Sequence, residues 1–198
     1  MSFSSPIALY ALCDQAMLDQ QGLSLESYIT FCRDQHAEII QYRNKMADLK
    51  TIKKQLQRLR MLWDKKLIVN DALELYVLCD GIHVGQEDLY AIDDDPKKAV
   101  SKIRQMIGDD KWIGLSTHNK EEVVAANALD LDYIGLGAYR SSGTKMDAKV
   151  LGEKLDSVAA FSTHKVAAIG GVKLSDKFQH VTYHVIGSGL IPVQRCSL

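Results

Sequence analysis

Short aliphatic runs alternate along the chain with longer stretches whose apolar residues recur at helical spacing. Eight runs read as strands: Ile7 to Leu12, Glu38 to Tyr42, Leu67 to Val69, Gly81 to Val84, Trp112 to Leu115, Tyr133 to Leu136, Val166 to Ile169 and Val181 to Ile186. Most are apolar on both faces, as a strand covered by helices must be. Between them, Leu49, Ile52, Leu56, Leu59 and Trp63 mark one face of a helix. Ala99, Val100, Ile103, Met106 and Ile107 mark another, opened by Asp95 and Pro96 as cap and first helical position and closed by Gly108. Asn119 with Glu122 three residues later reads as a cap opening a helix through Leu129.

Strand and helix in strict alternation predict βα units around a parallel sheet, and eight of them predict a closed (β/α)8 TIM barrel, α/β in class, over residues 1–198 as a single domain. Its chemistry then belongs where strands end and βα loops begin. Only Lys173 to His180 separate the seventh run from the eighth, and Leu190 to Leu198 follow it. The expected barrel is therefore compact, with a shortened seventh helix and no full eighth helix. A homodimer is one way to cover the flank this leaves bare.

Composition narrows the partners. Of the 198 residues 46% are hydrophobic and 25% charged, ample for a core and at odds with long disorder. Lys and Arg total 24 against 25 Asp and Glu, a net charge of −1. The longest basic stretch, Lys50 to Lys66, carries the apolar stripe of a helix, so its cations form a solvated helix face and no nucleic-acid track is expected. No apolar run approaches the ~20 residues a membrane span needs. Cys13, Cys32, Cys79 and Cys196 show no C-x-x-C spacing, and Met1 to Pro6 lack a basic signal region, so a cytoplasmic location is expected.

The strand ends carry the candidate chemistry. Gln41, Arg43 and Lys45 lie two apart and share a face, bringing an amide and two cations together. Such cations need a phosphate or a carboxylate to meet them, and an ion pair between Arg43 and a neighbouring acid is the plainer alternative. Asn70 and Asp71 end the third strand, and Asp88 follows the fourth with Glu87. One carboxylate on each of two adjacent loops suits a hard divalent cation that keeps waters and substrate phosphates, although a helix cap and a solvated turn explain them equally. Ser116 and His118 follow the fifth strand without a nucleophile elbow or a third triad member, which leaves capping or substrate hydrogen bonding. Gly137 to Lys145 form a small-residue stretch with hydroxyls and two cations, a candidate lid over an anion or a plain loop. Gly170, Gly171, Gly187, Ser188 and Gly189 end strands seven and eight, where barrels often bind phosphate through backbone amides.

In this order, Gln41-Tyr-Arg-Asn-Lys45, Leu67-Ile-Val-Asn-Asp71, Asp80-Gly-Ile-His-Val-Gly-Gln-Glu-Asp88, Ile113-Gly-Leu-Ser-Thr-His118, Asp132-Tyr-Ile-Gly-Leu-Gly137, Thr144-Lys145 and Ala168-Ile-Gly-Gly-Val172 resemble the signatures of the thiamine phosphate synthase and thiazole tautomerase superfamily. The resemblance runs from about the first strand to the eighth. It implies Mg²⁺-dependent condensation of hydroxymethylpyrimidine diphosphate with hydroxyethylthiazole phosphate, or its carboxylated form, giving thiamine phosphate and pyrophosphate. It further implies that Gln41 holds the pyrimidine, that Arg43, Lys45, Asn70 and Lys145 grip the pyrophosphate, and that Asp71 and Asp88 hold Mg²⁺. Ser116 would contact substrate near the reacting centre, with Arg43, Lys45, Ser116 and Lys145 as the catalytic set. Ser142, Thr144 and the amides of Gly171, Gly187 or Ser188 would face the thiazole phosphate. Gly137-Ala138 stands where the family has Gly-Pro, and Arg140-Ser141-Ser142 where it has an apolar-Pro-Thr segment. The alternatives are a thiazole tautomerase acting on carboxythiazole phosphate, which uses a histidine near the position of His118, and a non-catalytic phosphate-binding barrel.

Overall fold

The computed structural model describes residues 7–141 and 150–191. Eight parallel strands pair in chain order and the last pairs with the first, closing a barrel. They are β1 (Ala8–Asp14), β2 (Ile39–Arg43), β3 (Lys66–Asn70), β4 (Gly81–Val84), β5 (Trp112–Thr117), β6 (Tyr133–Leu136), β7 (Lys165–Ala168) and β8 (Tyr183–Ile186). Each predicted run contains or overlaps its strand. β1 and β5 each extend two residues further at their C-terminal ends, so that Asp14, Ser116 and Thr117 sit within strands.

Alternation along the strands divides the core in two. Outward residues such as Leu9, Ala11, Ile40, Leu67, Ile82, Ile113, Ile134 and Val166 pack under the helices. The inward set is aromatic: Tyr10, Tyr133 and Tyr183 are buried in the barrel's interior with Trp112 against them. Two glycines make room for this filling. A β-carbon on Gly114 would lie 2.2 Å from Tyr133 Cζ, and one on Gly135 would lie 3.1 Å from His83 Cε1.

The helices begin where short polar side chains accept from free backbone amides. Asp14 caps α1 (Gln15–Gln20), Ser24 caps α2 (Leu25–Asp34) and Asp48 caps α3 (Leu49–Leu62). Asp88 accepts from the Gly85 amide at the start of α4 (Gln86–Ile92), Asp95 caps α5 (Pro96–Ile107), and Asn119 caps α6 (Lys120–Ala126). The seventh helix in chain order, α7 (Lys154–Ala159), precedes β7. α6 stops short of the expected Leu129. There Asn127 donates to the Phe161 carbonyl at 2.8 Å and accepts from the Thr163 amide at 2.9 Å, which ties the chain to the segment before β7.

Two connections differ from a regular barrel. Between β3 and β4 the chain makes a 3-10 turn, Leu73–Leu78, instead of an α-helix. Between β7 and β8 the expected shortened helix is replaced by loop throughout. Gly170 and Gly171 adopt positive φ, and Asp176 accepts from the Lys173 amide at 2.8 Å and from Arg140, so the backbone folds around that carboxylate. Phe178 from this loop covers His184 on the outer face of β8. After β8 a single 3-10 turn, Ser188–Leu190, is the only helical element among the described residues.

Candidate active site

The C-terminal ends of β2, β3, β4 and β5 gather most of the predicted side chains. Gln41 and Arg43 project inward from β2 as their spacing required. Gln41 is buried, accepting from the Tyr10 hydroxyl at 2.7 Å and donating to Asn70 Oδ1 at 2.7 Å. Arg43 stands in register with Asp14 across the β1–β2 pair and donates to its carboxylate. The ion-pair alternative for Arg43 is thus realised in the structure. Asp14 serves two donors at once, since it also accepts from the Met17 amide at 3.2 Å.

Asp71 follows β3 with φ at +60°, a left-handed conformation uncommon outside glycine and tolerated best by Asn and Asp. Lys45, from the loop after β2, approaches its carboxylate at 3.6 Å. Burial and the charge of Asp88 push the Asp71 carboxyl above its usual range, against the opposing pull of Lys45 and Arg43. The loops after β2, β3 and β4 thus bring two carboxylates and two cations within electrostatic reach of one another. A pair of hard oxygen donors held in mutual repulsion fits Mg²⁺, which needs only one or two protein carboxylates when diphosphate and water complete its shell. Among the described residues no cluster of three or more His, Cys, Asp or Glu side chains forms a fuller cage.

Across the barrel mouth, Ser116 Oγ lies 2.9 Å from His83 Nε2, and its carbonyl accepts from Gln86 Nε2 at 2.7 Å. His83 Nδ1 lies 3.0 Å from the Tyr133 hydroxyl, which lies 2.8 Å from that of Tyr10. Desolvation lowers the His83 pKa to about 4, so the imidazole is neutral at ordinary pH. Burial raises Tyr10 and Tyr133, keeping both phenols protonated. Six side chains from six strands thus form one hydrogen-bonded series from Asn70 to Ser116.

The far side of the mouth is built from the loops after β6, β7 and β8. Arg140 binds Asp176 through both guanidinium nitrogens, at 2.6 and 2.8 Å, and donates to the Gly171 carbonyl at 2.7 Å. This fixes the conformation of Gly170 and Gly171. Gly187 passes over the end of β1, where an added β-carbon would lie 3.4 Å from the Leu12 carbonyl, and Ser188 begins the 3-10 turn. Ser142, Thr144 and Lys145 lie outside the described residues.

Asp14, Tyr10 and Asp176 fall in no motif of the sequence, His83 and Tyr133 stand there only within motifs, and Arg140, one of the two cations of the candidate lid, is bound to Asp176. The signal for the tyrosines was their inward phase on β1 and β6, where a phenol needs a polar partner. His118, left open between capping and chemistry, donates its amide to Glu122 at 2.8 Å and places Nδ1 2.9 Å from the same oxygen.

The chain resembles known proteins along nearly its whole length. The sequence profile of a family described as thiamine monophosphate synthase matches residues 9–188. A thiamine-phosphate synthase of Persephonella marina is 35% identical over 172 residues, covering 84% of this chain and 77% of that protein. One from Lawsonia intracellularis is 34% identical over 188 residues, covering 91% and 79%. The solved thiamine phosphate pyrophosphorylase from Pyrococcus furiosus superposes with a TM-score of 0.72 at 21% identity, covering 92% of this chain and 86% of that one, which attests the fold. With the profile spanning nearly the whole barrel and the relatives matching across it, this chain belongs to the thiamine monophosphate synthase family.

Proposed function

We infer that this barrel is a thiamine phosphate synthase, a transferase that joins a pyrimidine diphosphate to a thiazole phosphate and releases pyrophosphate. The observation that carries the reading is the charge arrangement after β2, β3 and β4. Asp71 and Asp88 act on one another beside Lys45 and Arg43, a concentration of both signs of charge that a metal-bound diphosphate would join through its cation and its oxygens. Among the described residues no helix is long and apolar enough to cross a membrane, in keeping with small phosphorylated substrates.

Departure of pyrophosphate from a methylene carbon leaves a cation that an electron-rich aminopyrimidine delocalises. The residues must neutralise the leaving group as its charge forms and hold the thiazole nitrogen in line before water arrives. Asp71 and Asp88 would hold Mg²⁺, which when bound supplies Lewis-acid stabilisation of the departing phosphate oxygens. Lys45 and Asn70 add fixed donors on the same side, and Arg43, held by Asp14, presents its charge without a search through rotamers. Gln41 and Ser116 border the space for the pyrimidine. The amides of Gly171 and of Gly187 or Ser188, with Ser142 and Thr144, would face the second substrate's phosphate, and Lys145 would join the grip on the pyrophosphate. The bond-forming step needs no general base.

The test is turnover. Purified protein given both substrates and Mg²⁺ should release pyrophosphate, and a chelator should stop it. Isomerisation of carboxythiazole phosphate without release would replace the synthase by a tautomerase, and ligand-induced stabilisation with neither reaction would leave a binding module.

A further inference from the structure

The buried series from Asn70 to Ser116 has a sense, and with Gln41 turning Oε1 to Tyr10 and Nε2 to Asn70 the rest of it follows from counting protons. Gln41 Oε1 can only accept, so Tyr10 spends its one proton there. The Tyr10 oxygen then receives the proton of Tyr133, and the Tyr133 oxygen must receive one from His83 Nδ1. A neutral imidazole that donates at Nδ1 is bare at Nε2, so Ser116 donates its proton to it. The Ser116 oxygen is left with lone pairs only, an acceptor facing whatever heterocycle enters. At the other end Gln41 Nε2 occupies Asn70 Oδ1, and the Asn70 amide nitrogen keeps its protons with no partner among the described residues.

The opposite sense satisfies the same atoms. Both amides turn over, each hydroxyl proton moves to its other neighbour, His83 carries its proton on Nε2, and Ser116 becomes a donor. Every intermediate arrangement leaves a buried donor or acceptor unpaired, which the low-dielectric interior penalises. The series therefore switches as a unit. In that reversed sense Asn70 would turn its carbonyl, in place of its amide protons, toward the loop that carries Asp71 and Lys45.

We propose that this series reads both ends of one substrate together: a diphosphate beside Asn70 selects the sense in which Ser116 accepts, and so restricts the heterocycle to one that offers an N–H there. Tyr10, Tyr133 and His83 are then positioning residues that set specificity from inside the barrel. The inference rests on the synthase reading and deepens it. It accounts for Gly114 and Gly135, whose missing β-carbons give the Tyr133 and His83 rings their places.

Two measurements test it without relying on turnover. Calorimetric titration compares an aminopyrimidine diphosphate with its oxo counterpart, which presents a carbonyl where the amine stood. The wild-type protein should prefer the amine by at least about a hundredfold, beyond which sites built for a hydrogen bond reach about 10⁴-fold against analogues lacking it. Tyr133→Phe cuts the series at its middle, frees His83 to protonate at Nε2, and should bring the preference within about tenfold. Tyr10→Phe makes the same cut one link away and serves if the first variant misfolds. Separately, nitrogen NMR of histidine-labelled wild-type protein saturated with the aminopyrimidine diphosphate should find His83 as the Nδ1–H tautomer, with Nε2–H gaining in either variant under the same conditions. A preference unchanged by both cuts, or an Nε2–H tautomer in the saturated wild type, overturns the inference while the synthase reading stands. Wild-type protein that binds neither diphosphate overturns the synthase reading, and the inference with it.

Discussion

The two mouths of this barrel use the same kinds of side chain to opposite ends. At the N-terminal mouth Arg60 donates to Asp80 at 2.8 Å and to the Trp63 and Lys65 carbonyls at 3.0 and 2.6 Å, while Asp80 accepts from the Leu67 amide at 2.7 Å. Arg104 repeats the pattern with Asp130 and Asp132, both at 3.0 Å, and Asp132 accepts from the Ile113 amide at 2.7 Å. Each arginine comes from the last turn of a helix, and Asp80 and Asp132 each come from the residue just before a strand, so helix end and strand start are locked together. At the C-terminal mouth Lys45 stands 3.6 Å from an Asp71 that burial and Asp88 hold above its ordinary pKa. One mouth has its charges satisfied by the fold. The other pairs Arg43 with Asp14 and Arg140 with Asp176 but leaves Asp71 with a lysine at 3.6 Å, a difference in keeping with the stability face and the catalytic face of a barrel.

Substitutions should separate the two faces. The largest effect belongs to Asp71→Ala and Asp88→Ala. Each should lower turnover on the order of 10²–10³-fold, the amount lost with one preorganised charge-stabilising group, while the melting temperature stays near the parent's for Asp71→Ala and falls by a few degrees for Asp88→Ala, which also loses its bond to the Gly85 amide. Pyrophosphate release and differential scanning fluorimetry on the same samples check both halves, and unchanged turnover in either variant would remove that carboxylate from the metal assignment.

Asp132→Ala should do the reverse. It leaves the Ile113 amide unpaired and takes one of two carboxylates from a largely buried Arg104, a loss of about 2–3 kcal/mol or roughly 5–10 °C in Tm for a chain of this size. At a temperature where the variant remains folded, its kcat should equal the parent's. A large loss of activity there would mean that the mouths are coupled through the barrel.

A smaller effect should appear in the pH dependence of stability. The folded-state pKa of His83 is lowered to about 4, below its unfolded value near 6.5, so protonation favours the unfolded chain. The stability His83 contributes is present in full above about pH 6.5 and is lost as pH falls toward 4. Denaturant titrations across that window should show a slope that flattens in His83→Gln, and an unaltered slope would place the acid sensitivity elsewhere.

How much of this the sequence made legible depends on how local the cause is. Strands and capped helices were readable because apolar period and cap chemistry act within a few residues, as at Asp95-Pro96 and Asn119. The β7–β8 connection was misjudged because its shape depends on Arg140 reaching Asp176 across 36 positions. Gln41, Arg43 and Lys45 were found from their shared phase on one strand. The partner of Arg43 was not, because Asp14 meets it through barrel register, 29 residues away. Tyr10 and Tyr133 were hidden by the longest interval, 123 residues, which only closure of the barrel brings to a hydrogen bond.

The smallest predicted effect bears most directly on the contrast between the mouths. A carboxyl whose folded pKa lies above its unfolded one binds its proton more tightly when folded, so ionisation opposes folding. Below the ordinary carboxylate range Asp71 is protonated in both states and contributes nothing. As pH rises past that range the unfolded chain ionises first, and above the folded pKa the full cost is in place. Asp71→Asn removes the charge with little change of shape, so near neutral pH it should raise Tm slightly while turnover falls, and the gain should vanish as pH drops through the carboxylate range. The parallel change Asp80→Asn, where a guanidinium and the Leu67 amide already use the carboxylate, should lower Tm at neutral pH. Opposite signs at the two positions would show that one mouth gives up stability for binding while the other does not. The same sign at both would mean that Asp71 is as well satisfied by its neighbours as Asp80 is.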